Sequence, residues 1–389
     1  MGPGDIPIMS EDKKRPPWRP EHAGRASASR LIDGRAGGHD GMPGRPKRPA
    51  DGIESPPKSR RRTLSIDDYV SGVRGGDRSI LGRAITLVES NAPAHMDQAQ
   101  EMLKRLLPYT ENSIRVGVTG YPGAGKSTLI EALGNFLCDR GHRVAVLAVD
   151  PSSSITKGSI LGDKTRMERL SHRREAFIRP SPSSGVLGGV ARKSRETILV
   201  CEAAGYDVIL VETLGVGQSE ITVRSMVDFF LLVLIAGAGD ELQGLKKGVM
   251  ELADALVINK ADGNNLAKAE AARSEFSQVL HYLQPATDGW TTRAYTCSAL
   301  NGEGIPELWG VVEDFRRQTT QTDVFQTRRR RQTMDWVQAM VQDYLRASFF
   351  NHPGVKKMMP QVERDVLAGT LSPTMAVQQL VQRFERGGE

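Results

Sequence analysis

Gly120-Tyr121-Pro122-Gly123-Ala124-Gly125-Lys126-Ser127 decides how the rest of the chain is read. The stretch fits G-x-x-x-x-G-K-[ST], and Thr128 follows it. Just upstream, Ile114-Arg115-Val116-Gly117-Val118-Thr119 reads as a short buried strand. Downstream, residues 128–138 carry Leu129, Leu133 and Leu137 at helical spacing. Strand, glycine loop, helix is the context that gives this motif meaning. The glycines let successive backbone N–H groups turn inward on a phosphate, which also sits at the positive end of a helix. Lys126 would reach the β- and γ-phosphates, and Ser127 would set its hydroxyl on Mg²⁺. A chance glycine turn would not need all eight positions to fit. The motif predicts nucleoside triphosphate binding.

Further along, Asn259-Lys260-Ala261-Asp262 follows the apolar run 255–258 and fits N-K-x-D. Guanine presents N1–H and N2–H₂ as adjacent donors, and the Asp262 carboxylate can accept both. Adenine offers no such pair. Charge-assisted hydrogen bonds contribute roughly 1.5–3 kcal/mol each, so losing two discriminates by orders of magnitude. Lys260 would cover the ring, and Asn259 would tie this loop to the phosphate loop. Ser298-Ala299-Leu300 fits the short loop whose backbone N–H groups meet guanine O6. Together, and in this order, the three motifs select GTP and its product GDP.

The metal and the γ-phosphate call for acidic residues at strand ends. Asp150, Asp163 and Glu212 are the candidates. Mg²⁺ takes only one or two protein carboxylates beside phosphates and water, so not all three can be direct ligands. One of them would position the attacking water or bind through water; otherwise each reads as an N-cap or surface acid. The candidate Mg²⁺ set is Ser127, Asp150, Asp163 and Glu212, with Lys126, Asp163 and Glu212 as the candidate catalytic groups. After Glu212 comes the glycine-rich turn Thr213-Leu214-Gly215-Val216-Gly217-Gln218-Ser219-Glu220, which reads as a switch.

Working outward, residues 111–318 alternate strand and helix. Segments 114–119, 144–149, 177–179, 208–211, 229–235, 255–258 and 294–296 are the strand candidates. Near-continuous apolar runs such as Val208-Ile209-Leu210-Val211 suit strands covered on both faces. The fold class expected is α/β, a P-loop NTPase with a doubly wound, mostly parallel sheet. Residues 63–110 form a helical lead-in: Ser65 with Asp68 resembles an N-cap pair, and Ile80, Leu81, Ala84, Ile85 and Val88 form a stripe. Met96, Ala99, Leu103 and Leu106 form a second one. Residues 319–389 return to helix, with the basic run 328–331, then the stripe Val337, Met340, Val341, Tyr344 and Leu345. Ser372-Pro373 starts another helix bearing Val377, Leu380, Val381 and Phe384. This region is either a flap on its own sheet or a dimerisation arm, and spacing does not choose.

The net charge of +6 is not spread over the fold. Residues 1–62 hold 14 Lys/Arg and 8 Asp/Glu, leaving 38 of each for residues 63–389. The tail is rich in Pro, Gly, Arg and Ser and is expected to be disordered. Its acidic residues and prolines argue against a mitochondrial transit peptide, and the neutral body argues against nucleic-acid binding. The longest apolar run, residues 229–236, is too short to cross a bilayer, and no h-region is present. The three cysteines, Cys138, Cys201 and Cys297, lie in apolar surroundings and read as core residues of a reducing compartment. A cytoplasmic location is expected, or the mitochondrial matrix in a eukaryote.

Five longer segments carry a specific resemblance: Val149-Asp150-Pro151-Ser152-Ser153, residues 162–167 (Gly162-Asp163-Lys164-Thr165-Arg166-Met167), Ile178-Arg179-Pro180-Ser181-Pro182, residues 212–220 and residues 237–244. From about Ser65 to Phe384 the chain resembles the MeaB-type G proteins, GTPase chaperones of adenosylcobalamin-dependent methylmalonyl-CoA mutase. The resemblance implies a homodimer joined through the C-terminal helices. It also implies a role in gating cofactor delivery to the mutase, or to a related acyl-CoA mutase, and in protecting or reactivating it. Asp150 and Asp163 would belong to a first switch, Glu212 to a second, and residues 240–247 to a third loop that senses the partner; by their own sequence residues 240–247 read either as a relay through Asp240 and Lys246 or as a solvated loop leading into a helix. Lys157 stands where members usually carry glycine, and Ala236 precedes Gly237 where proline is common. Adenosylcobalamin would be handled only through the partner, since no D-x-H-x-x-G segment is present. A nickel-insertion GTPase, the first alternative, would want Cys/His ligands at metal spacing. The second alternative is nucleic-acid binding through the basic tail.

Overall fold

Seven apolar segments build the sheet around which everything else packs: β1 (Ile114–Gly120), β2 (Val144–Val149), β3 (Ala176–Arg179), β4 (Val208–Thr213), β5 (Phe229–Ile235), β6 (Ala255–Asn259) and β7 (Arg293–Thr296). The computed structural model describes residues 64–149, 167–180, 187–213, 219–237 and 247–386. The strands pair in parallel in the order β3-β2-β4-β1-β5-β6-β7. The chain winds from β1 to one side, returns through β4, and continues to the other side from β5. The order therefore reverses at β1, the place where such sheets open a ligand crevice beyond the strand C-termini.

Successive strand residues face opposite sides. On one side Ala145, Leu147, Ile209, Val211 and Phe230 join a core with the N-terminal helices α1 (Ile66–Arg74), α2 (Arg78–Glu89) and α3 (Pro93–Leu106). On the other, Val116, Val146, Leu210, Phe229 and Leu231 meet α4 (Lys126–Asp139). Phe229 and Phe230 are both fully buried, one to each side. Each contributes about 1.5–3 kcal/mol by leaving water. Between the strands lie α5 (Glu168–Ser171), α6 (Leu187–Ala203), α7 (Ser219–Arg224), α8 (Lys247–Met250) and α9 (Leu266–His281).

Several strands run further than their apolar cores suggest. Gly120, Glu212, Thr213 and Asn259 are strand residues, because the ladder continues through polar positions: β4 stays in register with β2 as far as Val149 opposite Thr213. In the lead-in, Ser65 Oγ accepts from the Asp68 N–H at 3.1 Å, and the Asp68 carboxylate accepts from the Ser65 N–H at 2.9 Å. One expectation is corrected here. Met96 is 39% exposed, while Met102 is fully buried and holds the inward position with Ala99, Leu103 and Leu106.

The C-terminal helices are α10 (Ile305–Gln321), α11 (Val324–Asn351), α12 (Pro353–Leu367) and α13 (Pro373–Glu385). Phe325, Arg329 and Gln332 are the buried residues of α11, at helical spacing. Arg329 forks onto Asp228, Nε to Oδ1 at 2.8 Å and Nη2 to Oδ2 at 2.7 Å, and also donates to the Ser113 carbonyl. Asp228 accepts from the Arg115 N–H as well, and the Arg115 guanidinium pairs with Glu202 at 2.8 Å. The basic run is thus divided: Arg329 is buried under the strand N-termini, whereas the Arg330 and Arg331 side chains are 73% and 84% exposed. Farther along α11, Val337, Val341, Tyr344 and Leu345 stay exposed, so this stripe does not fold back on the sheet. In α13 it is Ala376 and Leu380 that pack on Val355 and Val362, while Val377 is 60% exposed and Val381 38%.

Candidate functional site

The C-terminal ends of β1, β4 and β6 bring the sequence motifs to one edge of the sheet. Residues 120–125 turn tightly between β1 and α4, and Gly120, Gly123 and Gly125 all take positive φ. At Gly125 the requirement is double: φ is +87°, and a Cβ there would lie 2.5 Å from the Asn259 side-chain nitrogen. Only glycine fits. α4 begins at Lys126, so Lys126 and Ser127 lie in its first turn, two residues before the helical start that the leucine spacing suggested.

The Lys126 stem is buried, and its ammonium donates to the carbonyls of Gly120 at 2.8 Å and Tyr121 at 3.0 Å. Ser127 Oγ donates to Glu212 Oε1 at 2.8 Å. Glu212 is 2% exposed and lies in register with Val118 of β1 and Ala148 of β2, so its carboxylate stands beside the phosphate loop. Below it, the hydroxyls of Thr119 and Thr213 meet at 3.0 Å. Both are fully buried; Thr213, expected to start the switch turn, is instead the last residue of β4, and the switch's expected last residues, Ser219 and Glu220, begin α7. Asp150, Lys157, Asp163, Gln218, Asp240 and Lys246 lie outside the described residues.

Asn259 joins three loops. Its Nδ2 donates to the Ala124 carbonyl at 2.9 Å, and its Oδ1 accepts from the Ala299 N–H at 3.1 Å and from the Cys297 thiol at 3.5 Å. The side chain is buried and its hydrogen-bonding capacity is used on both atoms. Burial pushes the Cys297 thiol up to about 12, so it acts as a neutral donor here. Ser298 Oγ donates to Asp262 Oδ2 at 2.6 Å, which fixes the carboxylate beside the last strand. Ser298 and Ala299 are buried, and Leu300 is 81% exposed at the loop tip. Lys260 takes φ +61°, and Asn265 Nδ2 donates to its carbonyl at 2.6 Å. The sequence reading missed Asn265; an asparagine ahead of a helix reads as an N-cap, yet its side chain makes no cap bond.

The arrangement presents a glycine loop at a helix N-terminus, a lysine and a hydroxyl in that first turn, a buried carboxylate opposite, and a fixed aspartate on the adjoining loop. Ser127 and Glu212 offer hard oxygen donors of the kind Mg²⁺ takes. Among the described residues no group of three or more His, Cys, Asp and Glu is placed to hold a metal. No helix among the described residues is long and apolar enough to cross a membrane.

Fold and site together define a P-loop GTPase. The sequence model of the family described as "Methylmalonyl Co-A mutase-associated GTPase MeaB" matches residues 81–353. A probable GTPase of Mycobacterium tuberculosis is 53% identical over 318 residues, covering 82% of this chain and 95% of that relative. The mouse protein named methylmalonic aciduria type A homolog, mitochondrial, is 43% identical over 330 residues, covering 82% of this chain and 80% of that one. Among solved structures, one titled LAO/AO transport system kinase aligns with a TM-score of 0.68 at 38% identity, covering 83% of this chain and all of that one. The chain belongs to the MeaB family of GTPases.

Proposed function

We propose that this chain hydrolyses GTP to GDP and phosphate with Mg²⁺, and uses that cycle to gate adenosylcobalamin delivery to methylmalonyl-CoA mutase or a close acyl-CoA mutase. Protection or reactivation of the same mutase belongs to this role. The observation that carries the nucleotide half is Asn259, whose amide holds the phosphate loop at Ala124 and the last loop at Ala299. One buried side chain thereby sets the distance between the phosphate-binding and base-binding parts of the site. The mutase half is supported by the name of the matched family and of its mouse relative.

On this reading the backbone N–H groups of residues 120–128, Pro122 excepted, and the Lys126 ammonium hold the phosphates. Ser127 and Glu212 take Mg²⁺, directly or through water, with Asp150 and Asp163 as further candidates. The metal supplies charge neutralisation at the β- and γ-phosphates. Asp262 accepts guanine N1–H and the exocyclic amine, Lys260 covers the ring, and backbone N–H groups of residues 298–300 meet O6. A site fixed before substrate arrives stabilises developing charge without reorganising.

We further propose a homodimer formed through the C-terminal helices. The exposed stripe Val337, Val341, Tyr344 and Leu345 supports this, since such a run of large apolar side chains marks an interaction surface.

The test of the coupled function is GTP turnover with and without purified methylmalonyl-CoA mutase. Coupling of about 1–3 kcal/mol would change turnover some 5–150-fold. Turnover unaffected by that mutase and by other acyl-CoA mutases would refute the chaperone role and leave the GTPase standing.

A further inference from the structure

Lys260 occupies the left-handed region at φ +61°, where a residue with a Cβ is strained and must be held by its surroundings. Three parts of its loop are tied to neighbouring elements. Asn259 is fixed to Ala124, the Ala261 N–H donates to the Cys297 carbonyl at 3.0 Å, and Asp262 accepts from Ser298. The Lys260 turn is restrained from within the loop, by Asn265. Its side-chain amide donates to the Lys260 carbonyl at 2.6 Å, while its backbone N–H donates to the Asp262 carbonyl at 2.9 Å. Asn265 therefore grips the residues on both sides of Ala261. The stem of Lys260 lies across the phosphate loop, its Cε 3.9 Å from where a Gly125 Cβ would be. A relaxed turn would swing this stem away and re-aim Asp262.

We propose that Asn265 is a positioning residue for guanine recognition. It keeps the strained turn closed so that Lys260 covers the base and Asp262 faces its edge, and it does so without touching the nucleotide. The inference rests on the guanine reading of the site given above. Alanine removes the amide at this position. Aspartate keeps its size but sets an oxygen against the Lys260 carbonyl.

The experiment compares GDP and IDP affinity by calorimetry, with Mg²⁺, for the full chain and its Asn265→Ala and Asn265→Asp variants, together with apo melting temperatures. IDP lacks the exocyclic amine that Asp262 would read. The expected result is a loss of about tenfold for GDP in both variants, the scale of one hydrogen bond made to hold a loop. IDP affinity should fall less, narrowing the preference for guanine, while melting temperatures stay near wild type. Unchanged GDP affinity would overturn the inference. So would equal losses for GDP and IDP accompanied by a lower melting temperature, which would make Asn265 an ordinary structural staple. A wild-type protein with no preference for GDP over IDP and ADP would instead refute the guanine reading, and the inference with it.

Discussion

Ser127 Oγ and Glu212 Oε1 are 2.8 Å apart, a hydrogen bond that joins the first turn of α4 to the end of β4. The serine hydroxyl donates and the buried carboxylate accepts, so both oxygens converge on one point beside the phosphate loop. A hard cation would take both oxygens there.

Glu212→Gln should therefore separate binding from turnover. Loss of a preorganised charge beside the reacting phosphate should lower kcat about 10²–10³-fold. GDP affinity, held by the loop and by Asp262, should stay within a few fold. Single-turnover hydrolysis and GDP titration on the same preparation check both halves; a kcat near wild type would remove Glu212 from the machinery.

Lys126→Ala should abolish hydrolysis while the fold survives. The ammonium is bonded to carbonyls of its own loop, and the substitution does not open the apolar core around Leu129 and Leu133. The check is a thermal melt of the apo protein. Its disappearance would mean that the lysine supports the fold instead of the substrate.

The Arg329–Asp228 pair ties α11 to the base of β5, and it should dominate acid sensitivity. Burial pushes the Asp228 carboxyl up, but the hydrogen bonds and charge of Arg329, with Arg115, outweigh burial and hold it below the usual carboxylate value. Glu202 is held low in the same way, burial being outweighed by Arg115 and Ser113. Carboxyls lowered by folding stabilise the fold above their unfolded values, and that stability is lost as pH falls through the folded ones, so the loss should come below about pH 4. Asp228→Asn should flatten this acid limb. Arg329→Met, which strands a buried carboxylate, should cost about 3–5 kcal/mol in urea unfolding at pH 7. A cost near zero would show that the pair is dispensable.

Val341→Glu and Tyr344→Glu should convert the proposed dimer to monomer. Both positions are exposed, at 51% and 73%, so the monomer's melting temperature should not change. Sedimentation at several concentrations decides it: an unchanged dimer would move the interface elsewhere.

What was legible in the sequence was local. The phosphate loop and the Asn259–Asp262 loop declare themselves because glycines and polar groups recur at fixed offsets after apolar strands. The parallel sheet follows from strands apolar on both faces, as in β5. Partners far apart in the chain were not legible. Arg329 and Asp228 are 101 residues apart, and nothing local marks Arg329 as buried inside a run whose neighbours Arg330 and Arg331 are exposed. Met102 is a core residue and Met96 is not, because Met96 lies in the first turn of α3, before the buried stretch that Ala99, Met102, Leu103 and Leu106 form. The exposed stripe of α11 was read correctly as apolar, but spacing could not say that its own chain leaves it uncovered.

The guanine specificity of the site is tested most directly by Asp262→Asn. The Asp262 carboxylate, held by Ser298 at 2.6 Å, would accept both guanine donors. Xanthine carries an oxygen where guanine carries its amine, and an asparagine NH₂ can donate to it. Losing one charge-assisted pair and gaining another is worth roughly 1.5–3 kcal/mol, or about 10–150-fold. The measurement is hydrolysis of GTP and XTP by wild type and variant at equal protein concentration. The account predicts that the variant loses GTP and gains XTP; equal GTP kcat/KM in the two proteins, with no gain for XTP, would contradict it.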